Sequence, residues 1–157
     1  MQDDWTPPAW FAEQAREREQ AEGRLQDCLE SKGWDVQFSF EDPVAWSTEA
    51  EASRYTRDMD ACWTELGLPE TDSTDQLARQ YDAELDIARC LEHLGIDVPD
   101  APSKDQWLER AQDPAGGSGL WLAFDAVDAL RKERPDDAEA TALVKRAEAD
   151  CPRFWGL

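Results

Sequence analysis

The sequence predicts an all-α fold with at most a minor β element: a disulfide-stapled helical bundle built from two related helical units. Three observations point that way. Cys28-Leu29-Glu30-Ser31-Lys32-Gly33-Trp34-Asp35-Val36 and Cys90-Leu91-Glu92-His93-Leu94-Gly95-Ile96-Asp97-Val98 agree at six of nine positions. Cys62 stands the same distance before Gly67 as Cys28 before Gly33 and Cys90 before Gly95. A glycine just past a helix takes the left-handed conformation that caps the last carbonyls, so each of these cysteines falls in or near a last turn. Cys151 directly precedes Pro152, which cannot continue a helix, so it ends one too. The third observation is a helical period in the apolar residues between these stops.

Helix one is predicted over roughly 10–32, where Phe11, Ala15, Leu25, Cys28 and Leu29 recur among many charges. Residues 34–40 alternate apolar and polar, a strand signal. One strand has nothing to pair with, so at most a small hairpin or edge pair is expected. From 49 to 66, Ala52, Tyr55, Met59, Cys62, Trp63 and Leu66 fall at steps of three and four. From 75 to 94 the stripe is Leu77, Tyr81, Ile87, Ala88, Leu91 and Leu94. Ser103 follows Pro102 as an N-cap and opens a short helix through Trp107 and Leu108. Asp113 to Gly119 is the one Gly-rich loop, and helices are predicted from Leu120 to Leu130 and from Ala138 to Ala149. The length of 157 residues suits one domain, read as an internal repeat of units 1–72 and 73–157.

The core is thin. Leu, Ile, Val and Phe together make up 26 of 157 residues, about 17%, a level at which high net charge favours disorder. Eight Trp and four Cys argue the other way, supplying large buried areas and covalent closures. No stretch approaches the ~18 apolar residues of a membrane span, and no basic stripe exists to follow phosphates, so nucleic acid is excluded as a partner. Sixteen Lys and Arg face 36 Asp and Glu, a net charge of −20 that reads chiefly as a solubility coat.

The cysteines show no Cys-x-x-Cys pair, and His93 is the only histidine, so no zinc site is expected. Four cysteines allow three pairings; the repeat favours one bridge within each unit, Cys28–Cys62 and Cys90–Cys151. Two disulfides in a domain with a thin core imply an oxidising compartment. The start, Met1-Gln2-Asp3-Asp4-Trp5, has neither the basic nor the apolar region of a signal peptide. The expectation is therefore a mature extracytoplasmic form, secreted or lipid-anchored at the cell surface, with any lipid anchor set in the precursor.

Several of these features recur together in one family. The Cys-Leu-x-x-x-Gly ending, the Cys62-Trp63 helix and the Tyr81…Cys90-Leu91 helix are followed by Pro102-Ser103 with an aromatic four residues on. Trp121…Phe124-Asp125-Ala126-Val127 and the terminal Cys151-Pro152 complete the order. Over roughly residues 20–152 the chain resembles a family of small four-cysteine exported proteins, often predicted lipoproteins, of high-GC Gram-positive bacteria. The resemblance implies export and disulfides. It implies no catalytic residues, because the family has no assigned activity. Leu122-Ala123 stand where the family pattern has Ser-Pro, so the resemblance does not fix the junction from this loop into the following helix.

No nucleophile is paired with His93, which reads as a cation favourably placed at a helix C-terminus. The 36 acids are too many to single out a catalytic couple, and the calcium loop Asp-x-Asp-x-Asp-Gly is absent. Of the tryptophans, Trp63 and Trp121 fit helical stripes and read as core. Trp5, Trp10, Trp46 and Trp155 lie near ends or turns and are the candidate partner contacts. The sequence thus suggests a non-catalytic, monomeric binding module of the cell envelope with no cofactor or metal, its ligand a protein, peptide or glycan. A carboxylate-dependent hydrolase of envelope glycan is the alternative. A third reading is an acidic mimic that occupies a basic partner surface.

Overall fold

The computed structural model describes residues 4–70, 73–115 and 119–155. Among them are six helices, α1 (Trp10–Ser31), α2 (Glu49–Glu65), α3 (Thr74–His93), α4 (Lys104–Gln112), α5 (Asp125–Glu133) and α6 (Ala138–Asp150), and no strand. The all-α expectation is met. Both bridges form as the repeat indicates: Cys28–Cys62 and Cys90–Cys151, each with Cα atoms 5.9 Å apart, inside the range of unstrained disulfides.

The three Cys-x-x-x-x-Gly stops share one geometry. Gly33, Gly67 and Gly95 have φ of 90°, 66° and 91°. Each donates its N–H to the carbonyl three residues back, and the next residue donates to the carbonyl five back: Trp34 to Leu29, Leu68 to Trp63 and Ile96 to Leu91, at 3.0–3.1 Å. This double closure is the Schellman motif. It leaves Cys28, Cys62 and Cys90 in the last turns of α1, α2 and α3, while Cys151 caps α6.

The chain divides into two compact units. One comprises residues 12–69; the other comprises the described residues of 70–155 together with 4–11. The boundary therefore lies close to residue 70, with the N-terminal segment belonging to the later unit.

In the first unit, Leu25, Leu29, Trp34 and Cys62 are buried, and Phe38, Trp46, Tyr55 and Trp63 pack around them. The alternation over 34–40 is real but makes no strand. Trp34, Val36, Phe38 and Phe40 do point to the core, yet the backbone beside them is held by side chains of α1. Gln26 donates from Nε2 to the Val36 carbonyl at 2.5 Å and accepts from the Phe38 N–H at 2.6 Å. Glu22 accepts from the Phe40 N–H at 3.0 Å. The Gln26 carboxamide thus presents one donor and one acceptor two residues apart, as a neighbouring strand's peptide group would.

In the second unit α3 is central, with α4 and α6 packed on it and α5 on α6. Ile87, Leu91, Ile96, Phe124, Val127 and Ala147 are buried together. Side-chain caps start three helices: Ser73 accepts from Gln76 N–H, Ser103 from Gln106 N–H and Asp137 from Ala140 N–H. Helix α5 is the exception. It begins at Asp125 rather than near Leu120, and Phe124 at its N-cap makes no side-chain bond. Residues before it are committed elsewhere, the Trp121 carbonyl accepting from Trp107 Nε1 at 2.7 Å. The first N–H groups of α5 are met by backbone carbonyls instead, Asp125 donating to Leu122, Ala126 to Ala123 and Val127 to Phe124. Just ahead of the N-cap, the Glu84 carboxylate of α3 takes the Ala123 N–H at 2.7 Å. Glu84 is only 7% exposed. Burial pushes its carboxyl above the ordinary 4.5; the Ala123 N–H opposes that shift, Asp125 adds to it and Arg153 works against it.

Candidate functional site

The site is built on α4. Ser103 caps it, and the Pro102 carbonyl before it is fixed by the Tyr81 hydroxyl of α3 at 2.6 Å. Lys104 pairs with Asp82 of α3 at 3.0 Å. These ties set the rotation of α4, so that Trp107 turns inward, 1% exposed, while Gln106, Glu109 and Arg110 face outward. Opposite α4 runs the segment 119–121. Trp107 donates to the Trp121 carbonyl, Arg110 Nη1 donates to the Gly119 carbonyl at 3.0 Å, and Trp121 Nε1 donates to the Pro99 carbonyl at 3.0 Å. Gly119 adopts φ 97°, a conformation open to glycine without strain.

Between helix and segment lies a cleft of about 830 Å³, within the size range of ligand sites. Trp121 supplies the aromatic wall, with Leu120 and Pro102 beside it and the buried Trp107 closing the base. Gln106, Glu109, Arg110 and Asp113 supply the polar groups. The Trp121 indole N–H is already satisfied by the Pro99 carbonyl, which leaves its ring as apolar surface. The arrangement suits stacking against a ligand face while an amide and two carboxylates accept from its donors.

The residues singled out from sequence lie elsewhere. Of the four candidate tryptophans, Trp155 alone is exposed, at 45%. Trp46 is half-buried, 5.0 Å from Trp34 and 4.8 Å from Tyr55 between ring centroids. Trp5 is half-buried 5.5 Å from the His93 ring, and Trp10 donates from Nε1 to Asp86 at 2.8 Å. None lines the cleft. His93 is the basic residue of the last turn of α3. Trp121, read as core from its stripe, packs against the core and also walls the cleft. The missed polar residues carry one sequence signal: Gln106, Glu109, Arg110 and Asp113 recur at steps of one, three and four on a capped helix facing the Gly-rich loop. No cluster of three or more His, Cys, Asp or Glu able to hold a metal occurs among the described residues.

Comparison of the chain with protein-family models, with curated proteins and with solved structures gives no match.

Proposed function

We propose that the protein is a non-catalytic binding module of the extracytoplasmic cell envelope, and that the α4 cleft holds a segment of envelope glycan. The observation that supports this is the placing of the Trp121 ring beside Gln106, Glu109, Arg110 and Asp113 in one open cleft. Sugars present an apolar C–H face and a rim of hydroxyls, which this lining complements. Two disulfides fit an oxidising compartment, and among the described residues no helix is long and apolar enough to cross a membrane. The resemblance to four-cysteine exported proteins supports the same location.

The alternative, a glycan hydrolase, has Glu109 and Asp113 in the cleft. A glycosidase needs its two carboxyls on either side of the scissile bond. Residues four apart on a helix stand on the same side. Among the described residues the one carboxyl that burial pushes up, Glu84, is engaged with the Ala123 N–H and is not in the lining.

A thermal-shift screen with soluble cell-wall oligosaccharides, followed by mass spectrometry of the ligand, tests the proposal. The expected result is a rise in melting temperature with intact ligand recovered, lost in Trp121→Ala and weakened in the exposed variants Gln106→Ala and Arg110→Ala. Shorter products would favour the hydrolase. No shift across the panel, or a shift indifferent to all three substitutions, would remove the cleft as the site.

A further inference from the structure

We propose that a second cleft, between the C-terminal end of α5 and α6, binds a free anionic amphiphile: one carboxylate or phosphate-monoester head on a short apolar chain. The cleft measures about 300 Å³, the lower end of the range for ligand sites. Arg131 and Arg134 of the α5 end and Lys145 of α6 line it, with Glu148 the one carboxylate. In the chain as a whole acids outnumber bases, 36 to 16. Here three cations line the cleft with one acid, while Asp128 and Asp137 pair with the arginines from beside it and leave Lys145 without a carboxylate among the described residues.

The two guanidiniums are held in place. Arg131 pairs with Asp128 at 3.5 Å and with Glu148, and Arg134 with Asp137 at 2.6 Å. A guanidinium carries five N–H donors, so these carboxylates leave donors over while removing much of the side chain's freedom. Lys145 makes no hydrogen bond or ion pair among the described residues. Its ammonium is the uncommitted charge of the cleft.

The floor decides the class of ligand. Ala140 and Val144 are 2% and 7% exposed, and Pro135 completes an apolar wall beneath the cations. A bare inorganic anion would use the cations and leave that wall without a partner. A neutral apolar molecule would cover the wall and strip water from three charges without return. An anion with a short apolar body satisfies both. The net charge of −20 opposes approach to an anionic bilayer, so the ligand is a free molecule and not a lipid within a membrane.

The test is calorimetric titration with monomeric octyl phosphate, with inorganic phosphate and octyl glucoside as the head-only and tail-with-neutral-head probes. Saturable binding of octyl phosphate is expected, with inorganic phosphate at least tenfold weaker and octyl glucoside weaker still. Lys145→Glu and Arg134→Glu should each weaken octyl phosphate tenfold or more, whereas Arg89→Glu on α3 should not. Both cleft residues are exposed, and helical circular dichroism verifies that the variants fold. Equal binding of octyl glucoside, or equal binding by the cleft variants and the parent, overturns the proposal. So does co-sedimentation with phosphatidylglycerol vesicles in the absence of octyl phosphate binding, because the head group would then belong to a bilayer.

Discussion

Replacing Glu84 by Ala and by Gln separates the acceptor of the Ala123 N–H from the charge that burial penalises. Glu84→Ala leaves the Ala123 N–H without its acceptor in a residue that is 0% exposed. An unsatisfied buried donor costs about 1–3 kcal/mol, a large share of the ~5–15 kcal/mol typical of a domain. For a chain of this size it corresponds to a fall of about 2–12 °C in melting temperature. Glu84→Gln keeps an oxygen for the N–H and loses only the charge. The native carboxyl sits above 4.5 when folded, so the folded state holds its proton more tightly than the unfolded chain. Its contribution is complete below about pH 4.5 and is lost as pH rises through the raised value. Glu84→Gln cannot titrate, so its stability relative to the parent should increase from pH 4 to pH 7. Urea melts of parent, Gln and Ala variants at several pH values measure this, and subtracting parent from Gln cancels the other carboxylates. A Gln-minus-parent gap that stays flat or narrows with pH, or an Ala variant as stable as the parent, would refute the reasoning.

Two further outcomes follow from the covalent and backbone closures. The loops closed by Cys28–Cys62 and Cys90–Cys151 span 34 and 61 residues, for which chain entropy assigns about 3.8 and 4.3 kcal/mol. Replacing either pair with Ala should lower denaturant stability by about that much, the second pair slightly more. Gly95 at φ 91° and Gly23 inside α1 both have open space where a Cβ would go, so only backbone preference distinguishes them. Gly95→Ala should cost about 1–2 kcal/mol, while Gly23→Ala should stabilise by about 0.5–1 kcal/mol, the opposite signs being read from the same melts.

What was legible in the sequence was what depends on near neighbours. A cysteine five residues before a glycine marks a capped helix end three times over, because the Schellman closure involves only six consecutive residues. The pairing of Cys28 with Cys62 and Cys90 with Cys151 followed from the repeat of that unit. The 34–40 alternation marked residues that face the core, but the strand it signalled does not form, because period two does not say what bonds the backbone. Gln26 and Glu22 do so here from a helix, and nothing in a run of glutamines and glutamates on α1 distinguishes them from solvated neighbours. Glu84 was hidden for the same reason, being one of 36 acids, and its role depends on the Ala123 N–H lying against α3. The α4 cleft joins Trp107 to Trp121 through a side-chain bond to a carbonyl, a tertiary fact. The basic cleft needed α5 and α6 side by side before Arg131, Arg134 and Lys145 could be seen as one group.

The order of the disulfides along the chain bears on how the protein is made. Each cysteine is bonded to its immediate neighbour in sequence, first to second and third to fourth. A polypeptide that emerges from its N-terminus presents Cys62 to Cys28 while Cys90 is still to come, so the earlier bridge closes with no competing thiol in reach. Of these four cysteines, Cys90 is the one still unpaired when Cys151 appears. An oxidant that joins these thiols as they arrive produces the native connectivity.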